Sequence, residues 1–405
     1  MSRITGYWKR HVRPAFLDAV RRCGGVPVPR QVTEAAAACR VIRLPAAGPD
    51  LIPARTVVGC LDEIAATEAM IPDPEVRAAY ARRLAGDGVR GDEPFVALLE
   101  TGRVCHEAAV TITADDRLVR DVSAMGFESD QPTNPLRLRY LPRPARRAGC
   151  LATVSSFAPH NYYHWLVEAL PRIDLYERAG LQVDRFYAPT RFAFQRESLR
   201  LAGIPSVGIE PATIGRHLLV ERLAASRFQL EATAGKVDFL FRRFTRQLQP
   251  VGPPLRLFVS RRRRGKRTLV NDAAVYRRLA PLGFRRCELE TLPVAEQVRL
   301  FFEAECVVGP HGAGLTNLAF CRPGTKVVEI NTPYRTTTCF HDIAHFRRLA
   351  YRLHVARPVR DRFFSFDPQA GVGDSDMAVD PDAFAGSVAA FLADEPARNA
   401  WRAAA

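Results

Sequence analysis

The chain has 405 residues, of which 47% are apolar and 25% charged, the make-up of a globular protein with enough apolar material for two cores. Its net charge of +15 arises from 58 basic and 43 acidic residues, yet only four lysines occur (Lys9, Lys236, Lys266 and Lys326), so a chain-wide arginine preference explains the charge better than a nucleic-acid surface does. No apolar run approaches the ~18 residues of a membrane helix, there is no signal-peptide core, and nine irregularly spaced cysteines without a C-x-x-C pair argue against a disulfide framework or zinc and for a reducing compartment.

Residues 1–22 are basic and carry Trp8, Val12, Phe16, Leu17 and Val20 at roughly helical spacing, interrupted by Pro14. The pattern suits peripheral contact with an anionic membrane surface or a helix packed on the protein itself. Residues 24–55 read as an irregular lead-in and 72–84 as a helix. From Phe95 to Val122, short β-like runs (Phe95–Leu99, Ala109–Ile112, Leu118–Val119) alternate with turns and predict a small antiparallel meander. Residues 131–147, rich in proline and arginine, read as a loop.

Strands and helices then alternate. Strands are expected at Leu151–Val154, Val183–Tyr187, Val207–Glu210 and Leu218–Leu223, and helices at Asn161–Leu170, Phe194–Leu201 and Ala232–Leu248. Gln249–Pro254 reads as a linker. A second block follows: strand Leu255–Ser260; a helix capped by Asn271 and stopped by Gly283; strand Arg285–Leu289; helix Pro293–Ala304; strand Cys306–Gly309; helix Ala313–Cys321; strand Lys326–Ile330. Regular β-α-β alternation with short connections implies parallel sheets wrapped by helices. The expected organisation is an N-terminal extension (1–94), an α/β domain with the meander (95–249), a second α/β domain (250–380) and a C-terminal helix (381–405), with the N-terminal domain one site for its packing.

Three features fall at strand ends of the second block. Ser260–Arg267 has six basic residues among eight, and guanidinium forks pair well with phosphate. Gly309-Pro310-His311-Gly312-Ala313-Gly314-Leu315-Thr316-Asn317 joins a strand to a helix, whose free N–H groups suit an anion, while Gly312 and Gly314 leave room for a ligand. Glu329 ends the next strand, where a carboxylate can take the hydroxyls of a ribose. In the first block, His164 and Glu168 are four apart on one helix face, the arrangement of an imidazole base oriented by a carboxylate, or of a core histidine satisfied by its neighbour. Arg172 extends that face beyond Pro171.

The segments Asn161–Glu168, Val259–Arg262, Gly309–Asn317 and Pro323–Glu329 together resemble glycosyltransferase family 61, over roughly residues 95–335. The resemblance implies two Rossmann-like domains facing a cleft (the glycosyltransferase B type), a nucleotide-sugar donor, inversion at the anomeric carbon and no metal or other cofactor. Asp374-Ser375-Asp376 has the spelling of a metal motif but lies in a glycine-rich C-terminal stretch and is not read as one. Bacterial members that resemble this chain are associated with capsule and other surface polysaccharides. The expected reaction is hexosyl or pentosyl transfer, with a UDP-linked donor expected, to a hydroxyl of a glycan or lipid-linked glycan, in the cytoplasm or on the inner face of the membrane. His164 and Glu168 are the expected catalytic pair, with Glu168 or another carboxylate as the alternative base. Arg261, Arg262, Lys266, Gly309, His311, Gly312, Ala313, Gly314, Leu315, Asn317 and Glu329 are expected to hold the nucleotide diphosphate, and Asn161, Tyr163 and Trp165 to line the acceptor side. Two other classes fit some of these residues: a non-catalytic sugar- or nucleotide-binding relative, and a nucleic-acid-binding protein using Arg261–Arg267. The latter run lacks interleaved aromatic residues for base stacking, so no nucleic-acid partner is expected.

Overall fold

A computed structural model describes residues 25–45, 93–123, 140–261, 267–332, 334–335, 337–359, 365–367 and 372–394. The expected helix at 72–84, the basic segment 1–22 and the centre of the arginine run, with Arg262 and Lys266, lie outside them. Among the described residues, one compact unit holds 25–45 and 93–230 and a second holds 231–394.

The first unit is built on a nine-stranded mixed sheet. Its strands are β1 (Gln31–Thr33), β2 (Arg40–Arg43), β3 (Phe95–Cys105), β4 (Val110–Ile112), β5 (Arg117–Val119), β6 (Ala145–Thr153), β7 (Arg185–Ala188), β8 (Ile209–Pro211) and β9 (His217–Ser226). Their order is β8-β7-β6-β9-β3-β4-β5-β1, with β2 also on β3. The strands from β8 to β9 are parallel, and β3 joins β9 antiparallel. The expected meander exists as β3-β4-β5, but it extends the same sheet instead of standing apart. Part of the proline- and arginine-rich stretch read as a loop is strand: Arg146 and Arg147 lie on β6, and Tyr140–Leu141 pairs with Val26–Pro27. Phe95 to Leu99 is buried throughout, as in a strand covered on both faces. Leu99, Val104, Leu151, Val220 and Leu223 form the centre of the core.

Between β6 and β7 the chain makes a turn of π-helix, His164–Ala169, then helix α1 (Arg172–Arg178); α2 (Ala193–Leu201) links β7 to β8. The order β8-β7-β6-β9 reverses direction between β6 and β9. In open α/β sheets such a switch point leaves a crevice at the carboxyl ends of the strands.

The second unit carries a five-stranded, all-parallel sheet of β10 (Leu255–Val259), β11 (Phe284–Cys287), β12 (Ala304–Pro310), β13 (Lys326–Asn331) and β14 (Ala350–Val355), ordered β11-β10-β12-β13-β14. Its switch point falls between β10 and β12. Helices α3 (Ala234–Thr245), α4 (Asp272–Leu279), α5 (Val294–Glu303), α6 (Cys339–Phe346) and α7 (Pro381–Ala393) surround it. Strand β14 and helix α6 were not expected from the sequence. Residues 313–320, expected as an α-helix, wind as a 3₁₀-helix and pack with α3, α5 and α6. Asn271 stands at the start of α4, but its amide donates to the carbonyl of Val379 instead of capping the helix. Gly283 does end the following turn, at φ 81°.

The described part of the C-terminal helix packs into the core of the second unit. Phe384, Val388 and Phe391, spaced along one face of α7, enter the core formed by Phe258, Val275, Leu279, Val308 and Ile330. The buried Lys326 ammonium closes the end of this helix by donating to the carbonyls of Phe391, Leu392 and Asp394 at 2.7, 2.9 and 2.9 Å.

Candidate active site

In the first unit the expected pair is formed. His164 Nδ1 and Glu168 Oε1 are 2.6 Å apart, with Glu168 buried and the imidazole 24% exposed. The π-turn places them there: the Leu170 N–H donates to Trp165 O, five residues back, at 3.1 Å. Wide turns of this kind are rare and recur at functional sites. A carboxylate on Nδ1 favours the tautomer that protonates this nitrogen and leaves the Nε2 lone pair as acceptor. Phe157, 38% exposed at the end of β6, meets the imidazole edge-on at 4.5 Å between ring centres, and Tyr163 does so at 5.3 Å. No periodic pattern marks Phe157, which precedes the helix in an irregular stretch.

The acceptor-side expectations divide. Asn161 takes the capping role, its Oδ1 accepting from the Tyr163 N–H at 2.9 Å. Tyr163 is partly exposed beside His164. Trp165 is a correction: it is fully buried, its indole N–H donates to Ser198 Oγ at 2.7 Å, and it belongs to the core. Arg172, buried at the start of α1, donates to the carbonyls of Ser155 (3.2 Å), Val122 (2.8 Å) and Ser226 (2.7 Å). It ties together the carboxyl ends of β6 and β9, so it is a structural fastening of the switch point.

In the second unit, His311 follows β12 at the switch point and is buried. Its Nδ1 bonds to Glu329 Oε1, whose other oxygen accepts from Tyr351 O–H at 2.7 Å. Arg335 Nε donates to His311 Nε2 at 2.9 Å, and Arg261 donates to the His311 carbonyl at 2.7 Å. Burial lowers the His311 pKa; Glu329 acts in the opposite direction, and Arg335 and Arg267 reinforce the lowering. Arg335 Nη1 and Arg267 Nε each lie 3.4 Å from the same oxygen of Asp374. Burial, then the charges of Arg335 and Arg261, bring Arg267 down to about 10, still protonated at neutral pH.

The glycines of the turn serve the protein more than expected. A Cβ on Gly312 would stand 2.5 Å from Arg261 Nη1, one on Gly314 would stand 3.0 Å from Leu289 Cδ1, and one on Gly309 would stand 2.9 Å from Val259 Cβ. The room they leave is filled by these side chains. Leu315 and Asn317 are buried, and Asn317 donates to Gln297 Oε1 at 2.9 Å and to the Gly314 carbonyl at 3.0 Å. Ala313 and Gly314 are partly exposed. Glu329, expected to meet a ribose, instead has both oxygens engaged by His311 and Tyr351. Arg267, Arg335, Tyr351 and Asp374 were not in the expected site. Arg335 and Tyr351 lie in stretches without periodic signal, and the fold alone brings them to His311. Asp376 accepts from the Thr268 backbone N–H at 2.7 Å, so the Asp-Ser-Asp stretch braces the end of the arginine run. The described arginines of that run, Arg261 and Arg267, face His311 and Asp374 instead of forming an outward basic strip.

Among the described residues there is no helix long and apolar enough to cross a membrane. Residues 162–328, which contain His164, Glu168, Arg261, Arg267 and His311, match the family model described as Glycosyltransferase 61. A 56-residue stretch is 45% identical to a beta-1,2-xylosyltransferase from Oryza sativa subsp. japonica, covering 14% of this chain and 10% of the rice protein. The chain thus spans about a tenth of the length of that curated relative. By these two matches the middle of the chain is similar to glycosyltransferase family 61, and the enzyme class they support is glycosyl transfer.

Proposed function

We propose that the protein is an inverting glycosyltransferase with the two-domain B-type arrangement, moving a sugar from a nucleotide-sugar donor to a hydroxyl of a glycan. The observation that carries this reading is the His164–Glu168 pair, held at the first unit's switch point inside the stretch that matches the family. In the reaction, His164 Nε2 takes the acceptor proton while the acceptor oxygen bonds to the anomeric carbon. The bond from that carbon to the leaving phosphate oxygen breaks on the opposite side, and its electron pair leaves with the diphosphate. Glu168 stabilises the imidazolium that forms. Arg261, with the N–H groups around Ala313 and Gly314, balances the growing negative charge, a term that often dominates such catalysis. Arg262 and Lys266 are assigned to the same task on sequence grounds. Positive side chains then supply what a divalent cation provides in other designs, and no metal or other cofactor is part of this reading. The rice relative's name favours a pentosyl donor; a UDP carrier for that sugar and a surface or lipid-linked glycan acceptor, approached from the cytoplasmic face through residues 1–22, complete the proposal.

The test is a thermal-shift and calorimetric screen of the full chain against UDP, GDP, CDP, CMP and ADP, with and without magnesium. One nucleotide should stabilise it selectively and without metal. His164→Gln should then reduce transfer by ~10²–10⁴-fold with nucleotide affinity retained. Loss of nucleotide binding in the same variant would remove His164 from the base role, and silence toward every nucleotide would remove the donor site.

A further inference from the structure

The second unit holds a chain of hydrogen bonds in which each proton can be placed. Arg335 can only donate, so His311 Nε2, 2.9 Å from its Nε, must be the acceptor. The imidazole proton is then on Nδ1 and goes to Glu329 Oε1. Glu329 Oε2 accepts from Tyr351 O–H. Donation therefore converges on Glu329, from Tyr351 on one side and from Arg335 through His311 on the other, and the members of this relay occupy the turn after β12, β13, β14 and the segment after β13. A second proton on His311 would point at the guanidinium, so the relay works only with a neutral ring. Thr337 Oγ1, 3.4 Å from the same nitrogen, flanks it.

Such a relay fixes the plane of the Arg335 guanidinium. One of its terminal nitrogens, Nη1, lies 3.4 Å from Asp374 Oδ1. Arg267 reaches the same oxygen at the same distance. Both contacts are longer than the 2.7–2.9 Å usual between guanidinium and carboxylate. Arg261 is fixed by the carbonyl of His311. Three arginines, two from the run after β10 and one from the segment after β13, are thus gathered on one histidine and one carboxylate, with Asp376 and Glu290 as the further acidic neighbours of Arg261. Arginines in such number, two of them reaching their shared carboxylate only by long contacts, suit an anion with several oxygens.

Resting on the donor-site reading above, we propose that Arg335 binds the diphosphate of the donor together with Arg261 and Arg267. His311 is the positioning residue that aims it, locked in one tautomer by Glu329 and Tyr351. His311 accordingly takes no part in proton transfer to the substrate. Asp374 holds the arginines when the anion is absent.

Inorganic pyrophosphate is the direct probe, titrated calorimetrically into the full chain at two salt concentrations. Arg335→Gln, in a partly exposed segment, should lower affinity about ten-fold or more and flatten the salt dependence, with an unchanged melting temperature. Arg335→Lys should restore the salt dependence but not the full affinity, because it keeps the charge and loses the fork. Tyr351→Phe removes one O–H and no charge; it should weaken pyrophosphate several-fold. Wild-type affinity in Arg335→Gln overturns the assignment and leaves the donor reading standing. Wild-type affinity in Tyr351→Phe overturns the relay. A wild-type chain that binds neither pyrophosphate nor any nucleoside diphosphate overturns both the inference and the reading it rests on.

Discussion

Arg172 shows how one side chain can determine whether a switch point exists at all. Its guanidinium serves three backbone carbonyls, those of Val122 just after β5, Ser155 just after β6 and Ser226 at the end of β9. Burial lowers its pKa, but an arginine stays protonated under these conditions, so the charge is compensated by carbonyl dipoles and by nearby Glu168. Arg172→Leu would leave three buried acceptors without donors, and removing one partner of such a set costs the desolvation of the rest. The expected loss is about 3–5 kcal/mol in denaturant unfolding, with Arg172→Lys recovering part of it. A loss below about 1 kcal/mol would mean that water replaces the guanidinium and that the fastening is not one. At this scale the sequence was legible where chemistry is local. His164 and Glu168 meet because residues four apart share a face. Trp165 was not legible, since which side of a helix enters the core depends on what packs there, here Ser198 on α2. The partners of Glu329 are hidden for the same reason: a strand-end carboxylate looks available until Tyr351, on the neighbouring strand, takes one of its oxygens.

The turn from β12 into the 3₁₀-helix illustrates what a glycine pattern can and cannot reveal. That Gly309, Gly312 and Gly314 mark a tight strand-to-helix connection follows from the sequence. What fills the space beside each one does not, because Val259, Arg261 and Leu289 arrive from other parts of the chain. The neighbours predict different outcomes for the same substitution. At Gly309 an added Cβ would stand 2.9 Å from Val259 Cβ and 3.3 Å from its carbonyl, part of the adjacent strand that cannot turn aside. Gly309→Ala should cost about 1–3 kcal/mol of stability. At Gly312 the obstacle is the tip of Arg261, which can swing away. Gly312→Ala should change stability by less than about 0.5 kcal/mol and yet weaken pyrophosphate binding, because Arg261 leaves the His311 carbonyl. Equal destabilisation of the two variants in thermal melts would show that the two spaces are equally rigid. The wider pattern agrees. Strands and helices whose periodicity is self-contained were legible to within a few residues, whereas β14 and α6 were not: β14 carries charged and polar residues (Arg352, His354) among its apolar ones, and α6 is short.

For the molecule as a whole, three histidines of the second unit whose pKa is lowered by burial contribute to the response to acid. His311, His345 and His354 all lie in the second unit, and burial lowers the pKa of each from the ordinary 6.5. The groups facing His311 are Glu329, which opposes the shift, and Arg335 and Arg267, which add to it. His341 adds to that of His345 and Asp342 opposes it, while His354, edge-on to Phe384 at 4.7 Å, is shifted by burial alone. A histidine whose pKa is lower folded than unfolded binds its proton more readily in the unfolded chain. Its stabilising contribution is complete above pH 6.5 and is lost as pH falls from there toward and through the folded pKa. Each such group contributes a slope of at most about 1.4 kcal/mol per pH unit. Calorimetric unfolding between pH 7.5 and 5.0 should therefore show the second unit's transition moving down as the solution is acidified. His354→Phe keeps an apolar ring against Phe384 and removes one titrating group, so its transition should move less over the same range. Since His354 stands away from the arginine site, the variant should also bind pyrophosphate as the wild type does. A melting profile that is flat from pH 7.5 to 5.0 would show that the three rings are not held neutral by the fold, and a His354→Phe profile parallel to that of the wild type would remove His354 alone from the account.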